Sequence, residues 1–209
     1  MHVALYGATG KSGSRILSEL LTRRHQVTAI VRDPARLSPR PGLTVVEGDV
    51  VSTEAIASKI AGTEVVVSAY APPQDDTDQL LPVTERFIAA VQQAGVARLI
   101  VVGGAASLEV APGVTLLASG HLPAQWLPIA TSHAKALDLL KQSPINWTYF
   151  SPAAFFEPGA RTGKFRIGKD ELIANEQHES RISMEDYAIA LVDELESPRH
   201  ERARFTIGY

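Results

Sequence analysis

The 209-residue chain contains no cysteine. That excludes disulfides, thiolate nucleophiles and cysteine-bound metals. Nor is there an excess of positive charge: the formal net charge is −3, so no basic face for nucleic acid is indicated. No apolar run approaches the roughly 20 residues of a membrane-spanning helix. The first strand-like segment starts at His2, which leaves no space for a leader peptide, and the expected setting is cytoplasmic. His, Asp and Glu nowhere cluster at metal-ligand spacing, so no metal is expected. The remaining composition, 45% hydrophobic and 21% charged, is that of an ordinary soluble chain, and its length suits one substantial core.

What the chain does have is glycine at a telling place. "HVALYGATGKSGSRIL" carries Gly7, Gly10 and Gly13 between a β-branched apolar run and a segment with helical spacing at Ile16, Leu17, Leu20 and Leu21. A nucleoside-triphosphate loop needs a glycine five positions before Gly10. Leu5 stands there, inside the apolar run, so that reading fails. G-x-x-G-x-x-G in a strand–loop–helix setting instead predicts a dinucleotide site. One glycine makes the tight turn, one lets backbone approach a pyrophosphate and one lets helix and strand pack closely. The helix N-terminus then faces the anion.

Further strands are predicted at "QVTAIV", "LTVVEG", "EVVVSAY", "RLIVVGG", "INWTYFSP" and "ARFTIGY". Helices are predicted at "TEAIASKIAG", "DQLLPVTERFIAAVQQAG", "ATSHAKALDLLKQS" and "SMEDYAIALVDELES", the last with Ser183 as N-cap. Alternating β and α segments with continuously apolar strands predict an α/β fold: a doubly wound parallel sheet of about seven strands, helices on both faces, in one domain over 1–209. The irregular stretch near 103–130 and the segment 151–182 are expected to form a small substrate region, and "GARTGKFRIG" to be strand-forming beside the pocket. Ligands in such sheets bind beyond the strand C-termini.

Arg32 follows the second strand, where the ribose of a dinucleotide should lie. An arginine there suits a 2′-phosphate and argues for NADP(H), with Lys11 adding charge; the neighbouring Asp33 keeps NAD(H) open. Asp49, after the third strand, suits either the adenine amino group or a cap for the helix near Ser52. The small residues Ser68, Ala69 and Ala71 around Tyr70 allow close approach to a cofactor. The expected cofactor contacts are Gly7, Thr9, Gly10, Lys11, Ser12, Gly13, Arg32, Asp49, Val50, Ala69, Tyr70, Ala71, Gly103 and Lys135.

The motifs "YGATGKSG", "IVRDPARL", "SAYAP", "VVGGAASL" and "NWTYFSPAAFFEPG" run in order along nearly the whole chain. Together they resemble the atypical short-chain dehydrogenase/reductase family, in the group of NAD(P)H-binding proteins similar to flavin reductase/biliverdin reductase B and the NmrA-like proteins. The resemblance implies a Rossmann domain, NADP(H) or NAD(H), and reduction of a flavin- or quinone-like acceptor. It also exposes a departure: the wider family carries Tyr-x-x-x-Lys, and no tyrosine here has lysine four positions on. The nearest equivalent is Thr131 to Lys135, so Lys135 is expected at the nicotinamide ribose, with Thr131 in the tyrosine's place as a far poorer acid. His133 is the candidate acid/base, against a plainer solvent-facing or capping role. His121 would reach the site only if its loop folds over, and Ser107 and Ser151 would orient rather than react. Tyr70, Trp126, Phe155 and Phe156, with Ser151, are the expected contacts for a flat small-molecule acceptor, as an aromatic wall or as core and lid packing. A non-catalytic NADP(H) sensor is the alternative reading and a sugar epimerase or dehydratase a third. Neither a nucleic acid nor a membrane is an expected partner, and the oligomeric state is left open.

Overall fold

The computed structural model describes residues 1–209. Strand β1 (His2–Tyr6) leads through the glycine loop into α1 (Lys11–Thr22). Then follow β2 (Gln26–Val31), β3 (Leu43–Glu47), α2 (Thr53–Ile60), β4 (Val65–Ser68), α3 (Leu80–Ala94) and β5 (Arg98–Val102). A small antiparallel hairpin, β6 (Glu109–Ala111) and β7 (Val114–Thr115), precedes α4 (Leu127–Gln142) and β8 (Trp147–Ser151). The chain closes with β9 (Phe155–Glu157), β10 (Arg166–Gly168), β11 (Arg181–Ser183), α5 (Met184–Glu196) and β12 (Ala203–Gly208).

Eight strands form the central sheet in the order β10-β12-β8-β5-β4-β1-β2-β3. All pair in parallel except β10, which lies antiparallel to β12 at the edge. The seven expected strands are these parallel ones, and "KFRIG" adds the eighth. The segment "GARTGKFRIG", expected to be strand-forming, is so over Arg166–Gly168, at the sheet edge. The helices divide as a doubly wound sheet requires. Helices α1 and α5 bury Ile16, Leu20, Tyr187 and Leu191 against one face, and α2, α3 and α4 bury Ile56, Ile60, Phe87, Leu137 and Leu140 against the other. Helix α4 starts three residues earlier than expected, because Pro128 fits the first turn, where its missing N–H has no helical partner to lose.

Under β8 and β12, Phe150 is stacked between Tyr187 (ring centroids 4.0 Å apart) and Phe205 (3.9 Å). Tyr187 Oη also donates to the Phe150 carbonyl at 2.7 Å, which fixes α5 to the strand that carries Ser151. At the start of α5, Ser183 caps the helix as expected, its Oγ accepting the Asp186 N–H at 3.0 Å. The fully buried Asp186 carboxylate accepts from the Thr162 and Gly163 N–H groups (2.7 and 2.8 Å), from Thr162 Oγ1 (2.5 Å) and from Tyr209 Oη (2.8 Å). Burial alone would raise this carboxyl, but these bonds outweigh it and hold it below the usual value of 3.8. One side chain thus ties the 157–164 loop and the C-terminus to α5.

Asp186→Asn replaces an acceptor of four donors with an amide that must present hydrogens to some of them. Urea denaturation at pH 7 should show a loss of roughly 2–4 kcal/mol. The Asp186 contribution is present above the unfolded pKa and is lost as pH falls through the lower folded value. The gap between wild type and variant should therefore be constant from pH 7 to about 5 and shrink below about 4.

Candidate functional site

The glycine loop is built on a close meeting of backbones. Gly7 adopts φ +80°, and a Cβ there would lie 2.2 Å from the Ala69 carbonyl oxygen. A Cβ on Gly13 would lie 2.1 Å from the Gly7 carbonyl oxygen. Gly10 differs: its φ is −80°, and a Cβ would meet only the Gly7 oxygen, at 3.2 Å. The fold itself therefore makes little demand for glycine at this position. No side chain caps α1, and its first backbone bond runs from the Ser14 N–H to the Gly10 carbonyl at 3.0 Å. The N–H groups of Lys11, Ser12 and Gly13 are left facing out of the helix end, the arrangement that binds a phosphate. Lys11 is exposed and holds no ion pair, while its carbonyl accepts from Ser14 Oγ and Arg15.

Beside the loop runs a cleft of about 760 Å³. Tyr6, Ile30, Val50 and Val83 give it apolar walls, and Gly7, Thr9, Gly10, Asp49, Ala69, Tyr70 and Ala71 also line it. Arg32 is joined by Arg36, from the short turn Pro34–Arg36, and both are exposed. Asp33 is not among the lining residues: its Oδ1 accepts the Ala35 N–H at 3.1 Å and caps that turn. Asp49 does not cap α2. Ser52 does, accepting the Ala55 N–H at 3.1 Å, which leaves Asp49 on the cleft with Oδ1 accepting the Val50 N–H at 2.7 Å. Arg86 reaches in from α3 and donates to the Val50 carbonyl at 3.0 Å. Burial raises the Tyr70 hydroxyl and the Asp49 charge adds to that, while Arg32 and Arg86 oppose it, so these charges converge on one ring. Arg36, Arg86, Gln79 and Tyr6 line the cleft without having been expected there. Arg36, four residues after Arg32, was open to notice. Gln79 comes from the start of α3 and Arg86 from its middle, more than forty residues after Arg32, with no local signal.

A second group of residues gathers after β5 and β8. Gly103 packs against the Tyr149 ring, which a Cβ would approach to 2.3 Å, and Gly104 packs against the His133 ring, at 2.9 Å. Tyr149 Oη accepts the Gly104 N–H at 3.0 Å and donates to the His133 carbonyl at 3.1 Å. His133 Nδ1 lies at the same 3.1 Å from Oη, so the ring and the hydroxyl form one hydrogen-bonded pair. Burial lowers the His133 pKa to about 4. The ring is therefore neutral at pH 7, fixed by Tyr149, and neither a solvent-facing nor a capping residue. As a neutral imidazole it is a poor general acid.

The structure does not bring the remaining expected residues to the cleft. At 100° per residue, Thr131 and Lys135 fall on the side of α4 away from Ala136, Leu137 and Leu140, and Lys135 is exposed without a partner. Phe156 turns to the core beside Tyr187 (centroids 4.7 Å apart). Phe155, 53% exposed, lies under the Arg181 guanidinium, 5.5 Å from its centroid. Trp126 is equally exposed at the start of α4, Ser151 is fully buried, and the four aromatic side chains form no continuous wall. Ser107 accepts from Arg204 at 2.9 Å, and His121 is exposed in its loop.

Residues 7–198 match a family described as NAD(P)H-binding. The chain belongs to that family. The uncharacterized protein YwnB of Bacillus subtilis is 39% identical over 99% of this chain and 98% of its own length. A candidate epimerase from Bacteroides thetaiotaomicron has a solved structure with TM-score 0.93 and 42% identity, over 100% of this chain and 96% of that one. A candidate NADH-flavin reductase from Streptococcus pneumoniae has TM-score 0.90 and 32% identity, over 100% and 99%. The parallel sheet and these neighbours give this NAD(P)H-binding chain a Rossmann-type fold. No helix is long and apolar enough to cross a membrane.

The residues present fit the family's cofactor. The uncapped α1 N-terminus with Gly10 suits the pyrophosphate, the Arg32–Arg36 side suits the adenosine ribose, and the apolar slot beside Asp49 suits a base. Gly10→Val should leave the fold intact, with a melting temperature within a few degrees of wild type, and abolish measurable NAD(P)H binding by calorimetry. Gly13→Ala, which pushes a methyl into the Gly7 carbonyl, should instead lose several kcal/mol of stability. If Gly10→Val binds normally while folded, the loop does not hold the phosphates.

Proposed function

We propose that the protein is an NADPH-preferring reductase that passes hydride to a flat conjugated acceptor of the flavin or quinone kind. The carrying observation is the chemistry beyond β5. No tyrosine–lysine pair reaches it, and His133, packed against Gly104, is neutral and hydrogen-bonded to Tyr149. A carbonyl being reduced to an alkoxide needs a proton donor in place. A flavin or quinone delocalises the incoming charge and can take its proton from water. The likeness to a candidate NADH-flavin reductase at 32% identity supports the same class of acceptor.

When bound, NAD(P)H supplies the hydride. The chain's part is to hold the dinucleotide by the α1 N-terminus and to read its ribose with Arg32 and Arg36. Two guanidiniums with Asp33 turned away favour a 2′-phosphate over a free 2′-hydroxyl. The absent acid also leaves open a sensor that binds NADP(H) without turnover, and the two readings separate in one assay.

Two measurements test the proposal. Arg32→Ala and Arg36→Ala should each weaken NADPH by about tenfold, the effect of losing one charge-assisted hydrogen bond of roughly 1.5 kcal/mol, and leave NADH within about twofold. Equal losses for both cofactors would remove the 2′-phosphate assignment. NADPH oxidation with wild type should proceed with free flavins and quinones and fail with aldehydes. Tight binding with no turnover on any acceptor would favour the sensor.

A further inference from the structure

The Tyr6 hydroxyl is an anomaly. Tyr6 is 3% exposed, and its Oη is buried with no hydrogen-bond partner. Leaving such a group unpaired is destabilising, and phenylalanine would fill the same space without that cost. The ring is held edge-on against Phe87, centroids 4.9 Å apart, so it cannot swing out to find water. Tyr6 also lines the dinucleotide cleft, at its apolar part with Ile30, Val50 and Val83. Burial pushes the hydroxyl far above its ordinary value and the nearby Asp49 charge pushes it further. It therefore keeps its proton at neutral pH, and it lies within electrostatic reach of Asp49.

A slot with apolar walls, a carboxylate and a protonated hydroxyl has a definite complement. The carboxylate only accepts a hydrogen bond, and the hydroxyl has one to donate. Adenine presents an exocyclic amine that donates beside a ring nitrogen that accepts. Hypoxanthine presents the reverse on the same edge: a carbonyl that accepts beside an N–H that donates.

We propose that Tyr6 is a base-reading residue of the cofactor site, donating from its hydroxyl to a ring nitrogen of adenine while Asp49 accepts from the neighbouring exocyclic amine. The unpaired hydroxyl of the free protein is then a polar group held ready for the ligand. This assignment rests on the cleft being the dinucleotide site and is separate from the proposed acceptor and from the 2′-phosphate assignment.

The test is Tyr6→Phe, which removes one oxygen. Three quantities are measured: the thermal midpoint of the free protein, the affinity for NADP⁺, and the affinity for the nicotinamide hypoxanthine dinucleotide phosphate, both by calorimetry. The variant should melt a few degrees higher than wild type. It should bind NADP⁺ about five- to tenfold more weakly and bind the hypoxanthine analogue within twofold of wild type, so that discrimination between the bases narrows. An unchanged NADP⁺ affinity in the folded variant would overturn the assignment. So would equal losses for both dinucleotides, which would make Tyr6 a support of the cleft and not a reader of the base. A wild type that binds neither dinucleotide would overturn the cofactor site itself, and the Tyr6 role with it.

Discussion

Three stretches of backbone meet at Gly7, Gly13 and Ala69, closer than any Cβ would allow. A methyl on Gly7 would sit inside the Ala69 carbonyl, and one on Gly13 inside the Gly7 carbonyl, at 2.2 and 2.1 Å. This contact sets the geometry of everything that follows. It brings the start of α1 down onto the ends of β1 and β4, so that three helical N–H groups open at the top of the sheet. It also makes one wall of the cleft out of main chain. The parallel order β3-β2-β1-β4-β5 then lines up the post-strand segments that carry Arg32, Asp49, Tyr70 and Gly103 along one edge.

The two ends of that edge are built for different work. The β2–β3 end is charged and specific, with Arg32, Arg36, Arg86 and Asp49 around an apolar slot. The β5–β8 end is quiet: two glycines rest on the rings of Tyr149 and His133, and the histidine is neutral with its hydrogen bonding settled. In the proposed reading the chain spends its polar groups on holding and selecting the cofactor and leaves the acceptor to manage its own charge. The buried ion-pair work lies elsewhere, where Arg98 is held by Glu194 and Thr148 beneath the sheet, and Glu19 by Arg23 and Arg161 beside α1. Neither cluster touches the cleft.

Most of this frame could be read before folding was considered. β-branched runs alternating with segments of helical spacing are local signals, and so are Gly95 past α3, in the left-handed conformation, and Ser183 before α5. Glycine spacing between a strand and a helix pointed to the dinucleotide loop for the same reason. What stayed hidden depends on contacts across the chain. Tyr149 reads as one apolar strand residue among several until the sheet sets it under Gly103. Gln79, at the start of α3, and Arg86, in its middle, are ordinary helix residues until α3 packs onto the sheet. Thr131 and Lys135 illustrate the opposite case: the resemblance aligned them with a reacting pair, but the phase of α4 is fixed by Ala136, Leu137 and Leu140, which turn both away from the sheet. Tyr6 was counted as part of a strand; its interest lies in a single oxygen whose lack of partners only the packed structure reveals.

The most direct measurement of the central claim is an amide chemical-shift titration of the ¹⁵N-labelled protein with NADPH. The account predicts large, saturable shifts of the Lys11, Ser12 and Gly13 amides, as their free N–H groups take up the pyrophosphate, together with shifts at Gly103 and Gly104 and little change along β10. Saturable binding that leaves the Lys11–Gly13 amides unmoved would contradict it, because the dinucleotide would then lie somewhere other than on the loop that the whole sheet is arranged to present.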